Sequence, residues 1–158
     1  MNSNYLKSLR IVYFALAMGI VFFVLVSLFL ISVNGPFSET ELTQAQQAPF
    51  LITLMVVTGA IFLAYKVIFP QKLEVIKTLP DLDRKLAAWR EIYILQGALI
   101  EAPAFFATVL FLLLGVSVLL IWPLAGIVLF WLSQPNRDRL IRETNFTFKE
   151  IEDFDKME

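Results

Sequence analysis

Along the chain, long uncharged apolar runs alternate with short polar interruptions. Ile11 to Val33 contains no charged residue. A helix rises about 1.5 Å per residue and a bilayer core takes roughly 20 residues to cross, so this run predicts a first membrane span over 11–33. It exceeds the roughly 7–15 apolar residues of a signal-peptide core and no A-x-A site follows it, so it reads as retained rather than cleaved. Asn34-Gly35-Pro36 stops it. Residues 34–48 then form a polar loop whose only charges are Glu39 and Glu41. Two S/T-x-x-E/Q matches, Ser38 to Glu41 and Thr43 to Gln46, offer helix caps. A second span is predicted over 49–69. Pro49 suits its first turn, and Thr58-Gly59 offers a small contact surface at mid-span. Tyr65 and Lys66 mark an interface, and Pro70 is expected to end the helix.

Residues 71–89 are charged, but Leu82, Leu86 and Trp89 recur at helical spacing. They predict an interfacial helix, within a loop over 70–90, that runs into a third span over 92–114. The turn 115–117 carries no charge, and a short fourth span follows over 118–133, with Trp122 and Trp131 placed to sit at its two interfaces. Gln134-Pro135-Asn136 stops it. In the tail, 134–158, Arg137, Arg139 and Arg142 lie nearest the membrane, and acids dominate beyond Glu143. Phe148, Ile151 and Phe154 are three apart, which suits either a short amphipathic helix or a frayed end. The expected fold is all-α: an integral-membrane four-helix bundle built of two helical hairpins, in a single domain over 1–158.

Composition supports the membrane class and removes much chemistry. Hydrophobic residues make up 58% of the 158 positions, against about half or less in soluble domains. There is no cysteine and no histidine, which excludes disulfides, thiolate and imidazole metal ligands, histidine bases and cysteine nucleophiles. A net charge of −1 without a concentrated basic surface points away from nucleic acid. Asp81-x-Asp83 resembles the metal-binding acid pair of some glycosyltransferases, but Asp81 directly after Pro80 also suits a helix cap. No metal, cofactor or catalytic constellation is expected, and the chain reads as a non-enzyme. The 13 basic residues avoid both 34–48 and 115–117. Basic residues stay on the cytoplasmic side, so both termini are expected there.

The third span carries the one candidate polar site. Counting by helical turns from Tyr93, one face holds Gly97, Glu101, Thr108 and Gly115. A carboxylate in hydrocarbon is expensive and marks a candidate functional position. Pro103 frees the carbonyl of Leu99 and should kink the helix within a turn of Glu101. The candidate site is therefore Glu101, Thr108, Gly97, Tyr93 and Pro103, with Thr58 of the second span as the expected contact. Two roles are open for Glu101. It can be a neutral group hydrogen-bonded to a hydroxyl on another helix, or a carrier of a proton or ion.

A weak internal echo links Arg10-Ile11-Val12-Tyr13 with Arg90-Glu91-Ile92-Tyr93, and Gly59 then Pro70 with Gly126 then Pro135. A parallel repeat of two hairpins would produce it. The run Tyr93 to Phe106, YILQGALIEAPAFF, resembles that of a group of small four-span bacterial membrane proteins whose third span opens with A-L-x-E-[GA]-P-A-x-F. The likeness extends loosely over the whole chain. That group's activity is not established, so the resemblance implies architecture and a bacterial cytoplasmic (inner) membrane, and no chemistry. The same run is similar, over about a dozen residues, to the carboxylate helix of the proteolipid ring subunits of rotary ATPases, which would make Glu101 an ion carrier. The glycines of that family's partner helix are not matched, since the first span here has only Gly19, between Met18 and Ile20. The expected function is that of a non-enzymatic subunit or partner of a membrane assembly. Its expected partners are the bilayer and either another membrane protein or a second copy of the chain. The alternative is an element of a proton or ion pathway.

Overall fold

The computed structural model describes residues 5–37 and 43–157. The Ser38–Glu41 capping match lies outside them. Among the described residues the chain is helical throughout: α1 Tyr5–Asn34, α2 Gln44–Lys77, α3 Leu82–Leu114, a 3₁₀ turn Ser117–Leu120 leading into α4 Ile121–Leu132, then α5 Arg137–Thr144 and α6 Phe148–Met157. Helices α1, α2 and α3 are long and apolar enough to cross a membrane. The segment Ser117–Leu132, bent by 80° against α5, gives up to a fourth crossing.

Helix ends follow local chemistry. The Thr43–Gln46 match is realised, with Gln46 Oε1 accepting the Thr43 backbone N–H at 2.9 Å. The start of α2 therefore precedes Pro49, which sits inside the helix. At the other end α2 does not stop at Pro70 but continues to Lys77. Proline removes one backbone hydrogen bond. Pro70 is exposed, and the carbonyl it frees, that of Lys66, lies beside a lysine at the helix's polar end. Gly115 ends α3 in the left-handed region (φ 70°) and returns its N–H to the Phe111 carbonyl, the arrangement glycine favours. Pro36, from the loop after α1, packs on Gly115, and the Phe37 N–H reaches the Leu112 carbonyl. The expected interfacial helix before the third span is present and continuous with it, from Leu82.

α3 is the axis of the bundle and packs against α1, α2 and α4. α1 and α3 run parallel. Tyr5 OH donates to the Leu86 carbonyl, Tyr13 OH to the Tyr93 carbonyl and Tyr13 OH to Gln96 Oε1, at separations of 80 to 83 residues. The echo between Arg10–Tyr13 and Arg90–Tyr93 thus joins residues that touch. The second echo does not behave alike. Gly126 is buried, and a Cβ there would lie 3.3 Å from Ala104 Cβ, so α4 lies close on α3. Gly59 is exposed, with nothing within 4 Å of its would-be Cβ, and is no contact surface for the third span. The hairpins differ accordingly. α3 and α4 pack together, whereas α1 and α2 hardly touch and α2 leans on α3 instead.

The tail is folded back on the bundle. Asn136 caps α5 by accepting the Arg139 N–H at 2.8 Å. Thr147 and Glu150 form a capping box at the start of α6. Of the three apolar residues in this helix, Phe154 is buried and Ile151 half-buried, while Phe148 is 93% exposed. Phe146, just before the cap, takes its place in the core and meets the Phe154 ring at 6.1 Å.

The two glycines make a direct comparison. Gly126→Leu must displace Ala104, Ile20 and the Ile100 carbonyl, and is expected to destabilise the protein by about 1–3 kcal/mol through overpacking. Gly59→Leu meets open space and should leave stability unchanged or raised. Thermal melting of both variants in detergent checks the difference.

Candidate functional site

The stripe predicted on α3 faces neighbouring helices, chiefly α1 and α4, but the candidate residues are not joined into one hydrogen-bonded site. Gly97 faces α1 and α4: a Cβ there would meet Leu16 Cδ1 at 2.8 Å and Phe130 Cε1 at 3.5 Å. Glu101 lies against α1, half-buried, with Oε1 3.6 Å from where a Cβ on Gly19 would be. Thr108 is buried and donates to the Ala104 carbonyl of its own helix at 2.8 Å, so its proton is not offered to Glu101. Pro103 faces the opposite way, into a cleft between α2 and α4. Thr58 lines that same cleft and accepts the Trp122 indole N–H at 3.0 Å. Trp122 therefore ties α4 to α2, whereas Trp131 is 78% exposed on the outside of α4.

No hydrogen bond or ion pair reaches the Glu101 carboxyl among the described residues. Beside it runs the open face of α3, where Ile94, Ala98, Ala102 and Val109 are exposed at helical spacing. That face is uncovered because α1 and α2 stand apart. The slot between them has α3 as its floor and Glu101 at its α1 edge. Ser27 of α1 is also buried, and its hydroxyl finds no partner among the described residues.

Tyr93 takes a different part. Its ring stacks on Trp89 at 4.0 Å between centroids. Its hydroxyl donates to Glu143 Oε2 at 3.0 Å, beside the Trp89 indole N–H at 2.9 Å. Arg139 Nε donates to the other oxygen of Glu143 at 2.8 Å, and its guanidinium lies 5.4 Å from the Tyr93 ring centroid. One carboxylate thus receives three donors from two helices. Trp89 and Tyr93 share a face because they are four apart on α3, as are Arg139 and Glu143 on α5. A second polar string joins three long helices. Tyr13 OH donates to Gln96 Oε1 at 3.3 Å, and Gln96 Nε2 donates to the Tyr65 oxygen at 3.3 Å. Neither Glu143 nor Gln96 belongs to the predicted site. For Gln96 the available signal was an amide within a hydrophobic span; for Glu143 it was only the four-residue spacing from Arg139.

A third contact fixes α6. Lys85, 7% exposed at its side chain, pairs with Glu150 at 2.7 Å, and its ammonium lies 5.8 Å from the Phe146 ring centroid. Asp81 stands at the N-cap of α3 with an extended backbone. Its carboxylate pairs with Arg84 at 3.3 Å, and no metal-holding group of acids occurs among the described residues. Comparison with family models, with curated proteins and with solved structures returns no match.

The Lys85–Glu150 pair gives the tail an acid limit. Burial alone raises a carboxyl, but hydrogen bonds from Lys85 and Thr147, with the charge of Lys85, hold Glu150 below its ordinary value of 4.5. A carboxyl depressed on folding adds stability above its ordinary pKa, and that stability is lost as pH falls through the depressed value. Docking of α6 should therefore hold at neutral pH and weaken only below about pH 4.5. Glu150→Gln is expected to lose about 1.5–3 kcal/mol of docking at neutral pH and to leave only the acid dependence of the exposed Asp155–Arg137 pair. Hydrogen exchange of residues 148–157 across the pH range measures both.

Proposed function

We propose that the chain is a four-span integral membrane protein of the cytoplasmic membrane, with both termini inside, acting as a non-enzymatic subunit or partner in a membrane assembly. The observation that carries this reading is the unpartnered carboxyl of Glu101 at the edge of an open slot. Within hydrocarbon such a group requires a partner, and the chain supplies none among its described residues. A transmembrane helix seated between α1 and α2 would cover Ala98 and Ala102, whose small side chains permit close approach. It would also bring a hydrogen-bonding group to Glu101. The likeness to small four-span bacterial membrane proteins agrees with this architecture.

The sidedness rests on the basic residues, which lie at the end of the bundle formed by the start of α1, the α2–α3 connection and the tail. Cysteines placed at Thr43 and Arg139, in a chain that otherwise has none, test it with an impermeant thiol reagent on intact cells. Labelling at position 43 with protection at 139 is expected, and the reverse pattern rejects the orientation.

The role of Glu101 is tested by affinity purification in mild detergent. A stoichiometric partner, or a second copy, should accompany the wild type and Glu101→Gln, which keeps a hydrogen-bonding group. Glu101→Ala should weaken capture by about 3- to 30-fold, the range for an interhelical hydrogen bond of about 0.6 to 2 kcal/mol in a membrane. Absence of any partner, together with proton or ion flux in liposomes that Glu101→Gln abolishes, would select the pathway role instead.

A further inference from the structure

The cleft on the other side of α2 is a separate place from the Glu101 slot. It lies between α2 and α4 over α3 and holds about 280 Å³, near the lower end of the roughly 300–1,000 Å³ usual for ligand pockets. Leu99, Ile100 and Pro103 make its floor, with Phe62 and Leu129 on its two walls. Its mid-depth end is closed by the Trp122–Thr58 bond. Its polar end holds Tyr65, Gln96 and Ser133. From Thr58 to Tyr65 along α2 is about 10 Å. An apolar space of this kind does not hold water. Phe62 and Leu129 are 58% and 48% exposed, so the cleft opens on the surface that faces hydrocarbon.

Its rim carries charge at one end only. Lys66 is exposed, and its ammonium lies 5.4 Å from the centroid of the Phe62 ring. No carboxylate pairs with it among the described residues. Apolar walls, hydrogen-bonding groups at the interfacial end and an unpaired ammonium beside them match one amphiphile: an acyl chain ending in a phosphate. We propose that this cleft seats one acyl chain of an anionic phospholipid from the cytoplasmic leaflet, with its phosphate at Lys66 and its ester region near Tyr65 and Ser133. The proposal rests on the membrane placement given above and not on a partner at Glu101.

The test is native mass spectrometry of the full chain, purified in mild detergent after equilibration with mixed phosphatidylglycerol and phosphatidylethanolamine. The wild type should retain one phospholipid, predominantly phosphatidylglycerol. Ala125→Phe fills the cleft from α4 and should cut retention about tenfold, the loss expected when roughly two methylenes lose their seat. Leu99→Trp fills it from α3 and serves if the first variant fails to melt cooperatively. Ala98→Phe, in the Glu101 slot, should leave retention unchanged, which separates this site from the partner surface. Lys66→Gln should keep the chain and erase the preference for phosphatidylglycerol. Retention that survives a folded cleft variant, loss caused by Ala98→Phe, or a wild type that holds no phospholipid overturns the proposal. A headgroup preference that survives Lys66→Gln overturns the phosphate contact.

Discussion

Tyr93 joins α1, α3 and α5 at one point. Its carbonyl accepts the Tyr13 hydroxyl and so fixes α1 parallel to α3 in one register. Its ring lies on Trp89 and under Arg139, and its hydroxyl donates to Glu143. A backbone carbonyl within a regular helix still has a free lone pair, so the Tyr13 bond is made without breaking the α3 ladder. Loss of the Tyr93 hydroxyl would leave Glu143 Oε2 with the Trp89 indole N–H alone, and so weaken a carboxylate site that charge-assisted hydrogen bonds hold together. Tyr93 thereby fixes the tail as well as the bundle, because Glu143 reaches α3 only through Trp89 and Tyr93.

With α1 set against α3, the remaining helices divide the surface of α3 unequally. α4 comes close because Gly126 and Ala104 present almost no side chain to each other. α2 has no matching glycine, since Gly59 points outward; it packs on α3 through larger side chains, Leu54 against Ala107, Leu110 and Phe111, and adds the Gln96 and Trp122–Thr58 bonds and contact with α5. Because α2 is seated on α3 and hardly meets α1 or α4, it leaves gaps on both its sides. One gap is the slot beside Glu101, and the other is the cleft above Pro103. The two features with the most functional promise thus come from one packing choice.

Much of this architecture was legible in the sequence, because long apolar runs without charge read as helices long enough to cross a membrane, and such helices are present. The long apolar runs, the stop at Asn34-Gly35-Pro36 and the helix leading into the third span all follow from local chemistry, and all are present. What misled was local chemistry with a tertiary answer. Pro70 reads as an end, yet one missing hydrogen bond at an exposed position is tolerated. Trp122 has a tertiary partner, Thr58, that its own sequence neighbourhood does not reveal. The stripe from Tyr93 to Thr108 does face other helices, but Thr58, its expected contact, stands on the far side of α3, in the α2–α4 cleft. Gly97 and Glu101 share the side that meets α1, while Pro103, two residues on from Glu101 and so about 160° round the helix, enters the α2–α4 cleft. The tail's choice between order and fraying could not be made without Lys85 and Phe146, which only folding brings to α6.

Glu101 and Glu143 are chemically the same side chain, and the protein treats them oppositely. Glu143 lies near the charged end of the bundle, where tryptophan, tyrosine and arginine converge, and all three donate to it. Glu101 lies deeper, among Gly19, Phe105 and the alanines of α3, none of which has a side-chain proton to offer. Elsewhere the same fold brings two helices together around one carboxylate, so its architecture is able to assemble donors. At Glu101 it presents instead a minimal side chain across the seam and small side chains along the open face. This combination lowers the steric barrier to an approaching helix and leaves the polar requirement standing. For a carboxyl in hydrocarbon the free energy of that requirement does not vanish, so it must be met by protonation, by water or by another chain. Only the last makes use of the small residues beside it, and for that reason the partner reading accounts for more of the geometry than a solitary proton site does.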